Sequence, residues 1–240
     1  MSTMKRKIKS IIKNLELKWA KTSPKRYLKF LRKQGIEIGE NIWITPDVKT
    51  LSIDITRPSL IKIGSNVRLN KNLTILTHDG GFYVLLNKYK EFIPQSGRVT
   101  IGNNVYFGRN CSVFKGVTIG DNCIIGFGSV VTRDIPSNSV AVGAPARVVC
   151  TLDEYYQKRK EKCVGEALDY AKSIEERFNR RPKIQEFWEE FSLFIDGSED
   201  CPQLPIKRQM GVHYNYFKDN NKAIFKGFND FLDKAGISKK

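Results

Sequence analysis

From Val99 to Val149 the apolar positions recur every six residues. Ile101, Phe107, Val113, Ile119, Ile125 and Val131 hold one phase, and Val105, Cys111, Val117, Cys123, Ser129 and Ile135 hold a second, four places later. Neither the 3.6-residue period of a helix nor the two-residue alternation of a hairpin strand accommodates an unbroken series of hexads. Gly102, Gly108, Gly120 and Gly126 follow the first-phase residue. Asn103, Asn104, Asn110, Asp121 and Asn122 fill the turn positions, where residues that tolerate a left-handed backbone are expected. Each hexad therefore reads as one flat side and one corner. A unit this short cannot bury its own apolar side, so the period predicts a β-solenoid in which stacked neighbours cover one another.

The same phase is present from Ile38 to Lys49, slips between Lys49 and Ile63, and returns before Ile75. Asp54 stands in the slip. From Gly80 to Arg98 the repeat stops, and an apolar-rich segment carrying Phe82, Tyr83, Leu85, Leu86, Tyr89 and Phe92 is inserted. It reads as a loop leaving a coil, too apolar to lie free in water, so it is expected to meet a neighbouring subunit or roof a cleft. Upstream, Ile8, Ile11, Ile12, Leu15 and Trp19, then Tyr27, Leu28, Phe30 and Leu31, have helical spacing broken at Ser23-Pro24 and ended by Gly35. Two helices docked on the solenoid are expected, their other faces basic through Lys5, Arg6, Lys7, Lys9, Lys13, Lys25, Arg26, Lys29, Arg32 and Lys33. Beyond Val149 helical patterning takes over, with Phe187, Trp188, Phe191, Phe194, Phe225, Phe228 and Phe231 as its expected core and 197–209 as a connection. The predicted organisation is 1–35 as N-terminal helices, 36–149 as the repeat domain with an inserted loop at 79–98, and 150–240 as a helical appendage.

Composition narrows the function. The chain has 240 residues, 40% of them hydrophobic, and a net charge of +16. That charge favours an acidic partner. No nucleic-acid-reading module is recognisable, so nucleic acid is not expected. A weak contact of the basic helices with an anionic membrane surface fits the charge, although a solvated basic face is the plainer reading. No apolar run approaches a membrane span, the basic start lacks a signal-peptide core, and the scattered cysteines fit a reducing compartment, so a cytoplasmic protein is expected. With only His78 and His213 in the chain, a histidine metal site within one subunit is hard to assemble, and no metal is expected.

His78 stands where the inserted segment departs. The hexads, the closing AVGAPARVV at 141–149, and ILTHDGG at 75–81 followed by an excursion and IGNNVYFG resemble the hexapeptide-repeat acyltransferases, with RPSLIKIGSNV similar to their polysaccharide and sugar O-acetyltransferase branch. The resemblance implies a mainly β fold, a left-handed parallel β-helix; the hand comes from it alone, since the rule for parallel crossovers is right-handed. It also implies acetyl-CoA as co-substrate, a sugar or polysaccharide-precursor acceptor, and a homotrimer with the donor in a groove between subunits.

In such enzymes the histidine is the general base for direct attack of the acceptor hydroxyl on the thioester, a role suited to an imidazole, whose ordinary pKa is about 6.5. No acyl-enzyme is needed, and Cys111 and Cys123 read as core residues. Asp79 adjoins His78, but successive side chains on an extended chain point opposite ways, so Asp54 is an equal candidate to hold the acceptor or the imidazole. Matched by motif, Arg109, Phe127, Thr132, Arg133 and Arg147 occupy donor-lining positions; many relatives have a small residue where Phe127 stands. Three other readings stay open: N-acetylation of an amino sugar or small amine, a non-catalytic repeat scaffold, and an anionic-membrane adaptor. A γ-carbonic-anhydrase-like hydratase needs three histidines per site, which this chain lacks.

Overall fold

The structure is a computed structural model that describes residues 3–237, with side chains from Ile11 onward. The side chains of Lys5, Arg6, Lys7, Ile8 and Lys9, named above for the first helix, lie outside the described residues. The chain divides into two units, Met1–Tyr155 and Tyr156–Lys240.

In the first unit the hexads form short parallel strands that stack into three sheets, one for each side of a prism. One face carries Glu37–Ile38, Ile61–Ile63, Val99–Ile101 and Thr118–Ile119, the next runs from Trp43–Ile44 to Ser139–Val142, and the third carries Ser52–Ile53, Thr74–Ile75, Ser112–Val113 and Val130–Val131. Thr118 pairs with Thr100, eighteen positions earlier, so three hexads make one coil. Val99 pairs with Ile61, twenty positions more than one coil, which is the length of the inserted segment. Lys62 pairs with Glu37, seven positions more than a coil, and this is the slip in phase. Both hexad phases point inward: Phe107, Val113, Ile119 and Ile125, with Cys111 and Ser129, are fully buried. The last parallel strand is capped by an antiparallel one, Arg147–Thr151.

The corners divide their labour more finely than expected. Asn104, Asn122 and Asn138 adopt left-handed backbone, with φ of 54°, 57° and 58°, and their side-chain amides form a ladder from coil to coil. Asn103 and Asp121 do not: their carboxamide and carboxylate oxygens accept the backbone N–H of the neighbouring coil, from Ser65 and Asn103 respectively. Nor do the glycines after the first-phase residues need positive φ. A Cβ on Gly108 would lie 2.5 Å from the Phe127 nitrogen, so close stacking of coils excludes a side chain there.

Helices α1 (Thr3–Ala20) and α2 (Pro24–Gln34) precede the coils. The Ser23 hydroxyl caps α2 by accepting the Arg26 N–H, and Gly35 at φ 102° ends it. Tyr27, Phe30 and Leu31 are buried as expected. On α1 the packed residues are instead Ala20 and Leu17. Ile11, Ile12, Leu15 and Trp19, expected to dock, are more than half exposed. A helix has room on its contacting face for one stripe, and Leu17 and Ala20 occupy it. The inserted segment is not a plain loop: α3 (Phe82–Tyr89) forms within it, and Phe82 packs on Phe92 at a ring distance of 4.5 Å. Tyr83, Val84, Tyr89, Phe92 and Ile93 remain exposed.

The second unit contains most of α4 (Leu152–Phe178), then α5 (Ile206–Met210), α6 (Tyr214–Asn220) and α7 (Phe228–Lys234). Its core is aromatic, with Phe187, Phe194 and Phe231 fully buried and Phe228 packed against them. Trp188 is 42% exposed and does not belong to that core. Between Pro182 and Asp196, inside the region expected to be helical, there are only two 3₁₀ turns, Ile184–Glu186 and Phe191–Leu193. Glu186 folds back onto Lys183 N–H and pairs with Arg180, which closes a turn in place of continuing a helix. No helix among the described residues is long and apolar enough to cross a membrane.

Candidate active site

Successive coils leave the third face at one corner, and the chemistry gathers there. Ser52–Ile53 pairs with Thr74–Ile75, so Asp54 and Thr56 of one coil lie beside Thr77 and His78 of the next. His78 is held in turn by the base of the inserted segment, through a bridge to Ser96 and a hydrogen bond from Gly97 N–H to Thr77 O of 2.9 Å.

Asp54 is the hub. Its Oδ1 accepts the Thr56 N–H at 2.9 Å and the Thr56 hydroxyl at 2.6 Å. Its Oδ2 accepts the Thr77 N–H at 3.2 Å and the Thr77 hydroxyl at 2.5 Å, and lies 2.6 Å from His78 Nδ1. Burial works to raise its pKa, but the hydrogen bonds from Thr56, Thr77 and His78 outweigh burial and hold the carboxyl well below the usual carboxylate range. A carboxylate can only accept, so the proton shared with the ring belongs to Nδ1 and the lone pair is left on Nε2. The Asp54 side chain is 4% exposed, whereas that of His78 is 35% exposed. The imidazole can therefore reach a ligand while its anchor cannot. These five contacts engage the carboxylate of Asp54, read above as holding the acceptor or the imidazole, with the imidazole and its neighbouring threonines.

Asp79 has partners of its own. Its Oδ2 pairs with Lys115 Nζ and its Oδ1 accepts the Gly81 N–H at 2.9 Å. The contact with Lys115, and next the Gly81 N–H, lower its pKa. Lys115 belongs to the coil that follows His78 and pins the start of the inserted segment. Thr56, Thr77 and Lys115 were missed in the sequence because hydroxyls and a lysine at corners look like any solvated turn. The one available signal was the phase slip, which brings Thr56 back over the coil below.

The residues matched to a donor site fall on two edges. Thr132 and Arg133 follow Val130–Val131 and so share the corner of His78 and Lys115. Arg109 and Phe127 stack on the other edge of the same face, where Gly128 N–H donates to Arg109 O at 2.9 Å. Arg147 lies on the antiparallel closing strand opposite Val142. Arg109, Thr132, Arg133 and Arg147 are exposed, and Phe127 is 71% exposed. One subunit does not bring the two edges together. Burial pushes the Cys111 and Cys123 thiols up, so neither is a ready nucleophile.

Residues 98–133 match the family model described as bacterial transferase hexapeptide (six repeats). The chain is 37% identical to Protein CapG of Staphylococcus aureus over 148 residues, 60% of this chain and 79% of the relative. It is 36% identical to galactoside O-acetyltransferase of Escherichia coli K12 over 140 residues, 50% of this chain and 68% of the relative. A solved galactoside acetyltransferase in complex with coenzyme A is 28% identical, covers 59% of this chain and 80% of that one, and superposes with a TM-score of 0.46.

Proposed function

The chain belongs to the hexapeptide-repeat acetyltransferase family, and from that premise we propose that it transfers the acetyl group of acetyl-CoA to a hydroxyl of a sugar or polysaccharide precursor. The observation that carries the reading is the 2.6 Å contact of His78 Nδ1 with a buried, five-fold hydrogen-bonded Asp54, which leaves Nε2 as a base at an accessible corner.

In the proposed reaction Nε2 takes the acceptor hydroxyl proton as the oxygen attacks the thioester carbonyl. The tetrahedral intermediate collapses with cleavage of the C–S bond, and the imidazolium returns the proton to the departing thiolate, giving O-acetyl sugar and free coenzyme A. Asp54 is the positioning residue: it fixes the tautomer and steadies the imidazolium. Thr132, Arg133 and Arg147, with Arg109 and Phe127, would line the donor arm and phosphates.

Because these residues stand on two edges, the reading includes a homotrimer in which one edge of a subunit faces the other edge of its neighbour. The exposed apolar residues of α3 and its flank support this, since a neighbouring subunit would cover them. The exposed stripe Ile11, Ile12, Leu15 and Trp19 beside Lys13 and Lys18 favours a further contact with an anionic membrane surface. The test is a panel of sugars incubated with acetyl-CoA and purified protein, following free thiol and acetylated product. Thiol release that depends on the acceptor is expected. Equal release with and without every acceptor, or none at all, contradicts the reading.

A further inference from the structure

Arg57 carries a charge the site has not yet accounted for. It follows Thr56, whose hydroxyl donates to Asp54 and lies 3.4 Å from His78 Nδ1, and it opens the turn Pro58–Leu60. Arg57 and His78 therefore leave successive coils at the same corner. The guanidinium Nη1 of Arg57 is buried and has no hydrogen-bond partner, the side-chain atom so found among the described residues.

A buried guanidinium N–H without an acceptor is costly, because it has lost its water and received nothing in return. The acids of this corner cannot supply the acceptor. Asp54 is committed to Thr56, Thr77 and His78, and Asp79 to Lys115 and Gly81. Guanidinium presents its donors in a planar fork that matches a carboxylate or a phosphate, and its charge cannot be titrated away at physiological pH. The +16 net charge of the chain favours a negatively charged ligand.

We propose that the acceptor is an acidic sugar, and that its carboxylate or phosphate is received by Arg57 while a hydroxyl of the same molecule lies at His78. The inference rests on the acetyl-transfer reading and narrows it. The donor's own phosphates are the competing occupant. They are the poorer fit, because the residues matched to donor binding all lie on coils that follow His78, whereas Arg57 lies on the coil before it.

The test uses the full chain with galactose, galacturonic acid and galactose-6-phosphate as acceptors, and the variants Arg57→Gln and Arg57→Lys. Wild type is expected to favour at least one acidic sugar over galactose by about tenfold or more in kcat/KM, the preferred acid telling carboxylate from phosphate. Arg57→Gln should erase that preference by raising KM for the acidic sugar, and Arg57→Lys, which keeps the charge without the fork, should retain part of it. Equal or better use of galactose by wild type overturns the inference. So does an effect of Arg57→Gln on KM for acetyl-CoA instead, or an equal loss with all three sugars together with a lowered melting temperature. If no sugar is acetylated, the acetyl-transfer reading fails on its own. Calorimetric binding of the two acidic sugars to wild type and Arg57→Gln without acetyl-CoA then still decides: binding that Arg57→Gln abolishes supports the site, and no binding or equal binding rejects it.

Discussion

Asp54 ties the proposed chemistry of this chain to its stability at one position. Its pKa is depressed in the fold, so its stabilising contribution is present above the ordinary carboxylate value of 3.8 and is lost as pH falls through the folded value. A nearly buried carboxylate with this many donors contributes on the order of 2–3 kcal/mol at neutral pH. Asp54→Asn should therefore lower the melting temperature at pH 7, and its difference from wild type should shrink once the pH is below about 3.8. A difference that stays constant down to pH 2 would mean that the charge is not what the donors hold. In turnover, Asp54→Asn should cut kcat by roughly tenfold to a hundredfold, part of what a general base supplies, with little change in KM for acetyl-CoA. His78 was legible in the sequence because it is the lone histidine of the repeat and stands at its interruption. Its partner was only half legible: Asp54 and Asp79 were rivals until register was known, and register across a phase slip is set by three-dimensional stacking.

Coils of eighteen residues were readable at the level of elements because burial on three faces repeats the same demand every six positions. What the period did not reveal is why the glycines are there. At Gly108 the neighbouring coil fills the space, and a methyl group would meet the Phe127 backbone at 2.5–2.8 Å. Gly108→Ala should therefore destabilise the first unit by about 1–3 kcal/mol. Gly80→Ala, where nothing lies within 4 Å, should shift stability by less than about 0.5 kcal/mol. Denaturant midpoints of the two variants check this, and equal midpoints would remove close stacking as the reason. The second unit was less legible. Its phenylalanines at near-helical spacing suggested helices, yet Phe187 and Phe194 reach the core from turns, since burying aromatic rings needs direction and not continuous helix. The outward stripe of α1 was misread for a related reason: Leu17 and Ala20 make the contact, and a pattern of apolar residues does not say which face meets a partner.

At the scale of the whole molecule, the residues proposed for the donor stand on two edges of one face, and the proposed site therefore calls for a second copy of the subunit. Light scattering should give a trimer at micromolar concentration, and a monomer would leave Arg109 and Phe127 without the edge they are proposed to complement. Removing Arg133 and Arg147 together should raise KM for acetyl-CoA about tenfold to thirtyfold, because each exposed contact with phosphate contributes nearer 1 than 3 kcal/mol, with the loss in KM rather than kcat. An unchanged KM would put the donor elsewhere. His78 is proposed as the base for direct transfer from acetyl-CoA. The most direct measurement of that role is the turnover of His78→Ala against wild type with acetyl-CoA and an acceptor that wild type uses, at matched assembly state and melting temperature. If His78 is the base, kcat falls at least about a hundredfold in a folded, assembled protein. A variant that turns over at a near-normal rate would contradict it.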